Sequence, residues 1–136
     1  MRLHISKIVS DAAKAEDFND KIQILRKNDH PAVRTYLKMA LDKQLKWALP
    51  EGAPPYASLE NPVDLENVLY NELRRVYIFI EGGNKNLTPP RREQLFQTFL
   101  ESLHPDDAKF FVDVVKDRKL PEGLSEEIIR FAYPNL

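Results

Sequence analysis

Residues 72–105 limit what this chain can fold into more than any other stretch. They read as the end of a helix, a Gly82-Gly83 stop, a polar turn, Thr88 followed by Pro89-Pro90, and a new apolar stripe of helical spacing. Glycine tolerates the left-handed conformation just past a helix C-terminus. Proline in the first turn loses no hydrogen bond, because its N–H would be an orphan there anyway. Such a segment joins helix to helix. The same punctuation recurs at His30-Pro31, at Asn61-Pro62 and at His104-Pro105, while Pro50 and Pro134 close helices.

Between these marks the apolar residues keep a helical period, and alternating strand patterns are weak. Leu3, Ile5, Ile8, Val9 and Ala12 predict a helix over residues 3–14, and Phe18, Ile22 and Leu25 predict one over 16–27. Val33, Tyr36, Leu37, Ala40 and Leu41 form a third stripe, expected to run to Trp47 or Leu49. Asn61 caps a long central helix over 62–80, about 28 Å at 1.5 Å per residue. Its end, Val76-Tyr77-Ile78-Phe79-Ile80, has strand propensity as a local competitor. Further helices are expected after Thr88, after His104 with Lys116 and Arg118 in its last turn, and after Ser125. Residues 50–62 hold four prolines and form the one long irregular connection. It is expected to pack down rather than to link two domains, because neither half has a self-sufficient core. The predicted fold is all-α: one domain over residues 1–136, a compact irregular bundle of six to seven helices.

A chain of 136 residues buries about two thirds of its unfolded surface. It has no cysteine, which excludes disulfides, thiolate metal sites and cysteine nucleophiles. No apolar run reaches the ~18 residues of a membrane span, and the start lacks a signal-peptide core. A cytoplasmic protein with no membrane association is expected. The net charge of −1 hides blocks: +4 over residues 1–50, −5 over 51–73, +4 over 74–92 and −4 over 93–136.

Two surfaces stand out. Arg74, Arg75, Lys85, Arg91 and Arg92 flank the Gly-Gly turn, and a shared basic end would suit nucleic acid or an acidic partner. The simpler reading is a solvated face with local pairing to Glu72, Glu81 or Glu93, or Arg75 and Arg92 as fork donors that tie turns together. Trp47, Pro54, Pro55 and Tyr56 form the second surface, since aromatic–proline clusters bind extended peptides. The simpler reading is a loop pinned by its own aromatics.

Other chemistry finds little footing. Gly82-Gly83-Asn84-Lys85 matches no phosphate-loop spacing, and Pro89 and Pro90 remove two of the N–H groups an anion would use. His4, His30 and His104 are far apart in sequence, and the dipole-matched acids Asp106 and Asp107 explain the one cluster without a metal. No catalytic motif appears. No catalytic residue, metal or cofactor is expected, although a site assembled from distant residues would leave no motif.

Trp47-Ala-Leu-Pro-Glu-Gly-Ala-Pro-Pro-Tyr56, Glu72-Leu-Arg-Arg-Val-Tyr77, Glu81-Gly-Gly-Asn84, Arg91-Arg-Glu-Gln-Leu-Phe96 and Leu100-Glu-Ser-Leu-His-Pro105 carry a resemblance. So do Val115-Lys116-Asp117 and the closing Ala132-Tyr133-Pro134. The chain resembles a family of small uncharacterised proteins encoded by T4-like tailed phages, notably marine ones. That resemblance implies an accessory protein in the cytoplasm of an infected bacterium and transfers no catalytic role. The expected function is a non-enzymatic interaction module for a phage or host protein. The alternatives are nucleic-acid binding through the arginine end and an unrecognised enzyme. Oligomeric state is not legible at this level.

Overall fold

The computed structural model describes residues 3–57, 65 and 68–136. Its helices are α1 (Ile5–Lys14), α2 (Phe18–Lys27), α3 (Pro31–Leu41), α4 (Val68–Glu72), α5 (Pro89–Ser102), α6 (Pro105–Phe110) and α7 (Glu126–Ala132). α4 continues as a 3₁₀ helix at Leu73–Phe79, and α6 continues as a π-helix at Phe111–Lys116. There is no strand among the described residues, and the fold is an all-α, compact, irregular bundle.

The caps at His30, Thr88, His104 and Ser125 sit where the punctuation placed them, and Asp17 adds another. Asp17 accepts from the Asp20 N–H at 2.8 Å, Thr88 from Arg91 at 3.4 Å and Ser125 from Ile128 at 3.3 Å. His30 and His104, each followed by proline, use Nδ1 in the same role, accepting from Ala32 and Asp106 at 3.0 and 3.1 Å. Gly82 adopts φ +82°, and a Cβ on Gly83 would lie 1.8 Å from the Tyr77 carbonyl oxygen, so the turn needs both glycines.

Three sequence expectations are corrected. α3 stops at Leu41, short of Trp47: Asp42 leaves the helical region at ψ 103°, and the chain turns so that Trp47 pairs with Ile80 in an isolated antiparallel bridge. Ala48 N–H donates to Phe79 O and Glu81 N–H to Lys46 O, both at 2.8 Å. Among its described residues the helix expected over 62–80 is α-helical at Val68–Glu72 before it tightens to 3₁₀, and the strand tendency of its last residues is spent on that bridge. Its start, expected at Asn61 and Pro62, lies outside the described residues. Finally, Lys116 stands in the last turn as expected, but that turn is a π-helix and Arg118 lies past its end. The wider π-turn, with Asp117 N–H reaching back to Val112 O at 2.8 Å, buries Val114, Val115 and Lys116 in succession. Arg118 then takes φ +57° and donates to the Leu45 carbonyl.

α1 packs on α2, α2 on α7, and α3 on the π-helix, while α1 also meets α6. The core centres on Phe111, whose ring lies 5.1 Å from Phe99, 5.9 Å from Trp47, 6.3 Å from Phe96 and 6.4 Å from Tyr36. Phe79 closes the cluster at 5.2 Å from Phe96. Edge-on and offset arrangements such as these are the favoured ones for aromatic quadrupoles.

Candidate functional site

The first candidate surface divides. Arg92 is half-buried: its Nε donates to Ile78 O at 3.1 Å, and one Nη donates to Asn84 O at 3.2 Å and Leu87 O at 3.1 Å. Those three carbonyls flank the Gly-Gly turn, so this guanidinium acts as the clasp of the turn. Arg74, Arg75, Lys85 and Arg91 are exposed. Arg75 has a loose ion pair with Glu72 at 3.9 Å, and Arg91 donates to Gln94 Oε1 at 2.8 Å.

The second surface divides as well. Trp47 stands edge-on to Phe111 and belongs to the core; its indole N–H is buried and has no acceptor among the described residues. Tyr56 is half-buried, and burial, followed by the Asp113 carboxylate, pushes its phenol above the ordinary value. Pro54 and Pro55 instead line a cleft of about 240 Å³ with Leu49, Phe96, Glu51 and Glu93. Phe96 on α5 forms a buried floor, and Lys116 of the π-helix forms one wall. The Lys116 ammonium donates to Gly52 O at 2.9 Å and to Asp117 at 3.3 Å. The irregular connection is thereby pinned at three places: the Trp47–Ile80 bridge, Gly52 on Lys116, and Ala57, whose N–H donates to Glu101 at 2.9 Å.

A further polar cluster left no trace in the sequence. Asp107, expected as a dipole-matching acid, is fully buried. Its Oδ1 accepts from the Ser6 N–H at 3.0 Å and so caps α1 across 101 residues of chain. Its Oδ2 lies 3.3 Å from His4 Nδ1, and the His4 ring lies 4.3 Å from that of His104. The two histidines that are distant in sequence meet because the N-termini of α1 and α6 meet. Among the described residues no group of three or more His, Asp or Glu side chains is placed to hold a metal ion. No described helix is long and apolar enough to cross a membrane.

No curated protein and no solved structure matches the chain. A family of unknown function, DUF6433, matches residues 8–122, which take in both candidate surfaces and the cleft. The chain belongs to that family.

Proposed function

We propose that this chain is a non-enzymatic accessory protein of a T4-like phage, a protein–protein interaction module that works in the cytoplasm of the infected bacterium. The phage assignment rests on the resemblance carried by residues 47–56, 72–77, 81–84, 91–96, 100–105, 115–117 and 132–134. The observation that carries the interaction reading is the cleft under the proline-rich connection. Its walls are mostly apolar, and its one buried ammonium is already bonded to Gly52 and Asp117 rather than free to act as a nucleophile or base. At about 240 Å³ it lies below the volume of an ordinary small-molecule site. It suits the docking of a side chain better than the enclosure of a substrate.

Affinity capture from infected cells, with mass spectrometry, tests this reading. The wild-type chain enriches a phage or host protein, and Ala53→Trp, which fills the cleft, loses it while retaining its melting temperature. No enrichment over control, or capture that ignores Ala53→Trp, overturns the proposal. Nucleic-acid binding is the second reading, supported by the exposed Arg74, Arg75, Lys85 and Arg91. It requires a salt-dependent affinity for DNA or RNA that disappears when Arg74, Arg75 and Arg91 are changed to Glu.

A further inference from the structure

We infer that the cleft formed by Leu49, Pro54, Phe96, Glu51, Glu93 and Lys116 binds a linear protein segment in which one large apolar side chain stands beside a Lys or Arg. This inference rests on the interaction reading above and names the partner's chemistry.

The size of the cleft sets the anchor. An apolar cavity of about 150 Å³ takes a benzene ring, so about 240 Å³ accepts one large aliphatic or aromatic side chain and little more. Phe96 lies at the floor, only 1% exposed, and Leu49 and Pro54 are half-buried walls. The methylene stem of Lys116 adds further apolar wall behind its occupied ammonium.

The charges set the flanking residue. Lys116 is answered by Asp117, and its bond to Gly52 O turns it toward the connection. Glu51 and Glu93 are both exposed at the rim, and neither has an ion pair among the described residues. A basic neighbour to the anchor meets two carboxylates there, whereas an acidic one meets like charge, which is how an interface rejects a wrong partner. The mode of binding also follows from the chain. Pro54 and Pro55 have no N–H to donate, and the Ala57 N–H is taken by Glu101. The connection is therefore a poor edge for an added strand, and recognition falls on the side-chain anchor.

Fluorescence anisotropy of short synthetic peptides against the full chain tests the inference. Each peptide has a central Leu, Phe or Trp flanked by Arg-Lys, by Ser-Ser or by Glu-Asp. The basic-flanked peptides are expected to bind at least tenfold more tightly than the acidic-flanked ones at low salt, with the gap narrowing as salt rises. The double variant Glu51→Lys/Glu93→Lys reverses that order, and Ala53→Trp abolishes binding of every peptide.

Equal binding of all flanks, or an order untouched by the double variant, overturns the charge inference. If binding is still lost with Ala53→Trp in that case, the interaction reading survives. If no peptide binds, the inference fails. Self-association of the wild type that Ala53→Trp converts to monomer then assigns the cleft to a second copy. Partner capture that ignores Ala53→Trp sinks the reading as well.

Discussion

Two tyrosines that look alike in sequence have opposite energetic roles. Tyr133 donates its hydroxyl to the Leu25 carbonyl, and the Arg34 guanidinium covers its ring at 4.9 Å. Tyr36 is fully buried, and its hydroxyl has no partner among the described residues. A satisfied buried hydroxyl stabilises, while an unsatisfied one costs its desolvation. Tyr133→Phe is therefore expected to lose about 1–2 kcal/mol in urea denaturation, and Tyr36→Phe to gain about 1 kcal/mol, with cavity size unchanged in both. Burial first, and the Asp29 carboxylate second, push the Tyr133 phenol up to about 12; burial raises Tyr36 well beyond its ordinary value too. A tyrosine whose folded value exceeds its unfolded value of about 10 stabilises the fold below that pH. That contribution drains away as the pH climbs through 12. A titration of tyrosinate absorbance should show one ionisation near pH 12 that is missing in Tyr133→Phe. The glycines of the 82–83 turn differ in the same residue-specific way. Gly82→Ala meets open space and carries only the left-handed backbone cost of about 1–2 kcal/mol. Gly83→Ala drives a methyl into the Tyr77 carbonyl and should cost about 3 kcal/mol or more, as severe overpacking does.

At the scale of elements, starts were far more legible than ends. A cap is a contact between neighbours: Thr88 with Arg91, with a proline in the next position, and Ser125 with Ile128. Nothing beyond four residues is needed to recognise it. Where α3 stops, and where α6 widens into a π-turn, depend on what the departing chain meets: Ile80 for Trp47, and Gly52 for Lys116. Neither partner is near in sequence, so periodicity alone carried α3 too far and gave no sign of the π-turn that buries Lys116. α1 depends on a distant residue even for its cap, because Asp107 supplies the acceptor for Ser6. Asp107→Ala should destabilise by about 2 kcal/mol, the cost of an uncapped buried N–H, and hydrogen exchange at Ser6 should accelerate before that of the rest of α1. Asp107→Asn, which keeps an oxygen for that N–H, should lose less.

For the whole molecule, one ring joins the parts. Phe111 touches α3 through Tyr36, α5 through Phe96 and Phe99, and the bridge through Trp47. Phe111→Ala should cost about 3–5 kcal/mol, a large share of the 5–15 kcal/mol that holds a domain of this size. The loss should appear as a lower urea midpoint with one cooperative transition, since α3, α5 and the bridge share that ring. The candidate surfaces show the same division. The sequence named Pro54 and Pro55, and they line the cleft; it also named Trp47, which went to the core, and Arg92, which clasps its own turn.

By itself the sequence determined the helical class, the caps of α3, α5, α6 and α7, the Gly-Gly turn and the irregular course of residues 50–57, because each rests on backbone preferences and contacts within a few residues. Only the tertiary structure decided that Asp107 caps α1, that the His4 ring meets that of His104 and that Lys116 closes a cleft beneath Gly52. These contacts join residues 64 to 101 positions apart. Their partners are chosen by how the helices pack, and no local preference encodes that choice.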